Sequence, residues 1–186
     1  MPKILAVAGS FREHSYSKRV LHIAADGARA AGADVTVIDL RDFPMSIYNN
    51  DDYEVKFDDQ ARRLQDLMHE QDGFLLASPE YNGSMPGGFK NAIDWTSRPS
   101  DRYGMYEPVK GKTAAIMSAS PGQFGGLRCL AHLRGVLTIM GVTVLPSEIA
   151  VGSVAQKFDG DALVMTDEKM RSGLEGLGVA LVTALE

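Results

Sequence analysis

Five short runs of consecutive apolar residues punctuate the chain: Ile4 to Ala8, Val35 to Ile38, Phe74 to Ala77, Ala114 to Met117 and Val142 to Leu145. A strand with one wet face alternates apolar and polar side chains. An unbroken apolar run is what a strand needs when both of its faces are covered. Between these runs the pattern lengthens to the helical period. Ala61, Leu64, Leu67 and Met68 share one helix face, and Leu130, Leu133, Leu137 and Met140 share another. Leu174, Leu177 and Leu181 mark a last helix, with Thr166 or Asp167 placed to cap it. The Ala-rich stretch from Ser15 to Ala31 is helix-compatible and ends at Gly32, as the second of these helices ends at Gly141. Pro86 suits the first turn of a helix that continues through Phe89, Ile93 and Trp95.

Strand and helix thus alternate five times, which predicts the α/β class with an open, doubly wound parallel sheet. Five strands favour the flavodoxin-type order 2-1-3-4-5 over the Rossmann order, with helices on both faces of the sheet in a three-layer sandwich. A chain of 186 residues is about one domain long. It contains no linker, internal repeat or low-complexity segment, so residues 1 to 186 are expected to form a single domain. The longest irregular stretches, Phe43 to Phe57 and Arg98 to Lys112, both contain Tyr and are long enough to cover a site.

Composition narrows the function. With 45% apolar and 23% charged residues the chain is an ordinary globular one. Its 24 acidic and 19 basic residues give a net charge of -5, unsuited to coating nucleic acid. No run approaches the roughly 18 to 20 apolar residues of a membrane span, and the N-terminus lacks the features of a signal peptide. A cytoplasmic protein is expected. The lone Cys129 fits a reducing compartment and reads as a buried structural thiol. His14, His22, His69 and His132 have no metal-ligand spacing, and His132 reads as a packing or subunit-interface residue. Asp51, Asp52, Glu54, Asp58 and Asp59 read as a solvated loop and helix start.

In doubly wound sheets ligands bind beyond the carboxyl ends of the strands, so the loops after the first, third and fourth strands matter most. The first, Gly9 to Ser17, brings Ser10, Arg12, Ser15 and Ser17 to a helix N-terminus, where a phosphate is well placed. It matches neither G-x-G-x-x-G nor a Walker loop. Its plainer reading is that Ser15 or Ser17 caps the helix and Arg12 is solvated. The second, Ser78 to Gly88, is rich in Pro and Gly. It can aim backbone amides at a planar heteroaromatic ring, with Tyr81 and Met85 packed near it, or it can be a turn before a helix. The third, Ser118 to Gly126, has the small residues that let a ligand edge approach the backbone.

Three motifs carry a resemblance. G-S-x-R-x-x-S-x-S at 9 to 17, S-P-E-Y-N-x-S-x-P-G-x-x-K-N-A-I-D-W at 78 to 95 and S-x-G-x-x-G-G-x-R at 120 to 128 resemble the NADPH-dependent FMN reductase family. The resemblance runs in order over nearly the whole chain. It implies a flavodoxin-like fold, non-covalently bound FMN, and electron transfer from NADPH or NADH to quinones, flavins, azo or nitro compounds or metal oxyanions. It implies that Ser10, Arg12, Ser15 and Ser17 hold the phosphate. It also implies that Pro79, Glu80, Tyr81 and Asn82 line the ring, with backbone amides near Glu80 to Asn82 donating to it, and that Ser120 and Gly122 meet its second edge. Many relatives have Asn where Ser17 stands and a hydroxyl residue where Ala119 stands. No side chain is required as an acid or base for the hydride step. A homodimer or homotetramer is implied, with Tyr103, Met105 and Tyr106 within reach of a neighbouring site. The alternative is a flavodoxin-type electron carrier. Arg12 and the modest net charge favour the enzyme.

Overall fold

The computed structural model describes residues 1–51, 57–160 and 164–186. Five parallel strands, β1 (Lys3–Ala8), β2 (Asp34–Asp39), β3 (Gly73–Ser78), β4 (Thr113–Ala119) and β5 (Thr143–Val144), pair in the order β2-β1-β3-β4-β5. This is the flavodoxin-like order that the alternation predicts. Among the described residues five helices flank the sheet: α1 (Tyr16–Ala30), α2 (Asp59–His69), α3 (Gly87–Thr96), α4 (Leu127–Ile139) and α5 (Glu168–Leu185). No described helix is long and apolar enough to cross a membrane.

The unbroken apolar strands feed two cores at once, because successive side chains point to opposite faces. Ile4, Ala6 and Ala8 join Leu75, Ala77 and Met117 in a cluster against α1 and α5. Leu5 and Val7 join Phe74, Leu76 and Ile116 in the cluster under α2, α3 and α4. The helix ends follow their expected signals. Ser15 caps α1, Asp58 caps α2 by accepting from the amides of Gln60 and Ala61, and Asp167 caps α5. Asp59 pairs with Arg62 in the first turn of α2, while Asp52 and Glu54 lie outside the described residues.

The last strand departs from expectation. Only Thr143 and Val144 pair with β4 at its start. A further strand, β6 (Ile149–Val151), pairs with the end of β4 through Met117, Ser118 and Ala119. Pro146 has no N–H to donate, and the run Pro146-Ser147-Glu148 breaks one edge strand into two. Arg134 of α4 spans the break. It donates to the carbonyls of Val144 at 3.2 Å and Leu145 at 2.9 Å and pairs with Glu148 at 2.6 Å.

Helices α1 and α5 meet through two glycines. A Cβ on Gly27 would lie 2.2 Å from the Glu175 carbonyl oxygen, and one on Gly178 would lie 2.0 Å from that of Ala24. Neither backbone can yield without separating the helices. Gly178→Ala should therefore destabilise the fold by about 1–3 kcal/mol, the usual penalty of overpacking. Gly176→Ala, on the same helix but with nothing within 4 Å of its added Cβ, should stabilise it by up to about 1 kcal/mol through helix propensity. Urea denaturation of both variants checks the pair, and equal effects would contradict this account of the contact.

Candidate functional site

Register sets the site at one height. Ala8 pairs with Ala77 and Ser78 with Ser118, and the Gly9 amide extends the ladder onto the Ala77 carbonyl at 2.8 Å. The loops after β1, β3 and β4 therefore leave the same edge. They surround a cleft lined by Ser10, Arg12, Ser15, Ser17, Glu80 and Ser120, with Pro79, Tyr81 and Ala119 beside them. The phosphate-loop residues and the ring-loop residues expected from the sequence thus share one cleft. Asn82 and Gly122 stand in two of these loops but do not line it.

In the first loop, Ser10, Ser15 and Ser17 are buried and Arg12 is exposed. The Ser10 hydroxyl accepts from the Arg12 amide at 3.3 Å, and the Ser15 hydroxyl accepts from Lys18 at 3.5 Å. Among the described residues the Arg12 guanidinium, the Ser17 hydroxyl and the amides of Tyr16 and Ser17 have no hydrogen-bond partner. Ser15 caps the helix, as the plainer reading expects, and unpaired donors remain beside it. Behind the loop, Lys18 pairs with Asp39 at 2.6 Å, and Arg41 pairs with the same carboxylate at 2.8 Å. Burial pulls the Asp39 carboxyl upward, but the hydrogen bonds from Arg41 and Lys18 outweigh it and hold the group far below the usual range.

The second loop is tighter than its composition reveals. Tyr81 and Ser84 exchange backbone hydrogen bonds at 2.9 and 3.1 Å around Asn82 and Gly83, which have φ of 52° and 79°. Positive φ at both central residues is the signature of a type I′ turn, for which Asn-Gly is the preferred pair. The Tyr81 amide is consumed by this turn. Of the three amides expected to face a ligand, only those of Glu80 and Asn82 are without a partner among the described residues. The Tyr81 ring is half exposed.

Glu80 acts with its side chain rather than its backbone alone. Its carboxylate turns inward onto the first turn of α4. There it accepts from Arg128 Nε at 2.9 Å, from a second Arg128 nitrogen, and from the Cys129 amide at 3.3 Å. The Arg128 hydrogen bond holds the Glu80 carboxyl below its ordinary value. His132 adds a second tie from α4, its Nδ1 lying 3.0 Å from the Ser84 hydroxyl. Cys129 is fully buried, and burial pushes its thiol up to about 11, the structural role expected of it. The pairing of Glu80 with Arg128 was not anticipated, although both residues stand in the motifs.

The third loop is held by its own backbone. The Ser120 amide donates to Val151, and the Gly122 amide donates to the Ser120 hydroxyl at 3.1 Å. The Gly122 carbonyl accepts from Gly125 and Ser153. Gly122 therefore has both backbone groups engaged, and the Ser120 O–H remains as a donor in the cleft lining. The long loop before β4 is tied back onto α2. Tyr103 donates to Asp66 at 2.9 Å and stacks on His69 with centroids 4.7 Å apart. Both partners lie in the last turns of α2, which lead into the start of β3 at the opposite edge of the sheet. Tyr103 is thus tied down in its own chain, away from the cleft. Tyr106 packs against the core under α3 and α4, and Trp95 is a core residue, 1% exposed.

The clamp predicts an acid-sensitive contribution. A carboxyl lowered in the fold adds stability above its ordinary value and loses it as the pH falls through the lowered one. Arg128→Ala should lower the urea midpoint at neutral pH, and the gap from the parent protein should close in acid. A gap that persisted below the carboxylate range would contradict the ionic account.

Comparison with known proteins places this architecture. Residues 2–156 match a family described as NADPH-dependent FMN reductase. An NAD(P)H-dependent FMN reductase of Pseudomonas aeruginosa is 36% identical over 167 residues, covering 89% of this chain and 86% of that protein. A quinone reductase of Escherichia coli is 33% identical over 155 residues, covering 83% and 79%. Among solved structures, the flavoenzyme NAD(P)H:(acceptor) oxidoreductase FerB of Paracoccus denitrificans superposes with a TM-score of 0.83 at 30% identity, covering 100% of this chain and 97% of that one. A flavodoxin from an archaeon, at 13% identity and a TM-score of 0.64, shares the fold alone. All three loops of the cleft fall inside the matched residues, and the chain belongs to the NADPH-dependent FMN reductase family.

Proposed function

We propose that this single domain, residues 1 to 186, is an NAD(P)H-dependent oxidoreductase that uses FMN. It passes electrons from NADPH or NADH to small acceptors such as quinones, flavins, azo or nitro compounds or metal oxyanions. The observation that carries this reading is the convergence of three loops on one cleft whose first wall holds unpaired donors. A phosphate monoester brings about -1.5 to -2 charges at neutral pH. It would meet the Arg12 guanidinium, the O–H groups of Ser10, Ser15 and Ser17, and the two orphan amides that open α1. That donor set fits the group. The names carried by the relatives agree with it.

FMN, when bound, supplies a ring that takes a hydride from a nicotinamide and releases electrons to an acceptor. The chain's part is binding and orientation. The Glu80 amide and the Ser120 hydroxyl would hold the polar edge of the ring, Pro79 and Tyr81 would flank it, and Asn82 would shape the turn that carries the ring segment. The Glu80–Arg128 clamp keeps that segment fixed relative to α4. Gly122 supports the third loop from within. The hydride step itself calls for no side chain as acid or base. A homodimer or homotetramer belongs to the same proposal, supported by the exposed side chains of Tyr81 and Phe124 on the ligand-facing loops and of Leu127 at the start of α4. Cytoplasmic residence is supported by the single, buried Cys129.

Anaerobic titration of the FMN-loaded protein with NADPH and then NADH tests this. Bleaching of the visible flavin band without a protein partner is expected. A yellow protein that neither donor bleaches would be a flavodoxin-type carrier instead, and a protein that cannot bind FMN would end both readings. Arg12→Ala should weaken FMN binding by roughly ten- to a hundredfold, the scale of one charged hydrogen-bond set. It should leave the reduction rate of FMN-saturated protein nearly unchanged. Titration of flavin fluorescence measures the first effect, and an unaltered Kd would remove the phosphate from this loop.

A further inference from the structure

A second cleft, of about 660 Å³, lies between α3 and the segment from Phe43 to Tyr48. That volume is in the range of small-molecule sites, about 300–1,000 Å³. Phe11, Met45, Tyr48, Gly87, Lys90 and Asp94 are among its walls. The outer wall is anchored to α3. Asn91 donates to the Ser46 carbonyl at 2.9 Å and accepts from the Tyr48 amide at 2.8 Å, and Trp95 Nε1 donates to the same Ser46 carbonyl at 2.8 Å. These bonds give a role to Asn91 and Trp95 of the middle motif, which the flavin site leaves unexplained.

The cleft adjoins the phosphate loop. Phe11 stands between Ser10 and Arg12, and its ring lies so close over Gly88 that a Cβ there would be 2.6 Å from Phe11 Cε2. Phe11 walls the second cleft, and its chain neighbours Ser10 and Arg12 line the first. The lining is aromatic and apolar, with one internally neutralised pair: Lys90 Nζ lies 2.6 Å from Asp94 Oδ1. A free phosphate would find no unpaired cation there among these residues. A planar base with a hydroxylated sugar fits better. The base stacks on Phe11 and Met45, and a sugar hydroxyl donates to Asp94, whose second carboxylate oxygen has no partner among the described residues.

We propose that this cleft binds the adenosine half of the nicotinamide donor. The inference rests on the reductase reading. A donor with its nicotinamide at the ring segment must place a second, larger nucleoside half outside the flavin cleft. Small acceptors have no such half, so the second cleft distinguishes donor from acceptor at a shared ring face. Because Lys90 is neutralised, the cleft recognises what NADH and NADPH have in common.

Two variants of the FMN-loaded full chain test this. At Gly87 a Cβ meets nothing within 4 Å, so Gly87→Leu fills the cleft without displacing a neighbour. Ile47 is 86% exposed at the rim, so Ile47→Glu adds a repelling charge without loss of packing. Calorimetry with 5′-AMP as the probe should show binding to the parent protein, weakened at least about tenfold in Gly87→Leu and also reduced in Ile47→Glu. KM for NADPH should rise in parallel. KM for reduced nicotinamide mononucleotide, which lacks the adenosine, and the Kd for FMN should both stay put. Unchanged 5′-AMP binding, or equal changes in KM for the two donors, would overturn the proposal. Loss of oligomer in sedimentation with 5′-AMP binding intact would assign the cleft to a second copy of the chain and overturn it too. If the parent protein is reduced by neither donor, the reductase reading itself has failed.

Discussion

The in-register pairing of β1 with β3 and of β3 with β4 is the constraint on which the rest depends. Parallel strands have no freedom to slip by one residue, because a slip would exchange the side chains of the two cores. Ala6 would leave the cluster under α1 and α5 and enter the one under α2, α3 and α4. The register that keeps both cores dry is therefore the register that ends three strands level. The Gly9–Ala77 hydrogen bond continues it one residue into the first loop. Close packing secures the same place from the side, since a Cβ on Gly9 would lie 2.3 Å from Phe89 Cδ1.

Within the site, what matters is which polar groups remain after the loops have satisfied themselves. The second and third loops are stiff because they use their own donors: Tyr81 on Ser84, Ser120 on Val151, Gly122 on the Ser120 hydroxyl. The first loop leaves donors unmatched. A dianion and a neutral ring edge call for this division, many free donors at one end and few, fixed ones at the other. Glu80 links the second loop to α4, with Arg128 and Cys129 as its partners.

The strands and helices were legible because their signals are local. Unbroken apolar runs, Ser15, Asp58 and Asp167 as caps, and Gly32 and Gly141 as stops all act within a few residues. The strand order followed from the number of strands, and the family from three motifs. What stayed hidden depends on distance along the chain. Arg128 reaches Glu80 across 48 residues, and Tyr103 reaches Asp66 across 37. Nothing near Tyr103 says that its loop folds back to the opposite edge of the sheet. The consumption of the Tyr81 amide had a visible signal, the Asn82-Gly83 pair, which specifies a turn that must take a hydrogen bond from its flanking residue. The split of the last strand also had one, in Pro146.

That split governs what this edge of the sheet offers to another extended chain. A sheet edge with a long row of unpaired amides and carbonyls is a template for any extended chain that drifts past. Here the edge beyond β4 consists of two residues, a proline-containing break and three residues more. Arg134 already occupies two of its carbonyls. No stretch of it is long enough to recruit a strand from a neighbour. This edge is thereby closed to strand-by-strand aggregation, which leaves the six residues of β2 as the longer of the two sheet edges.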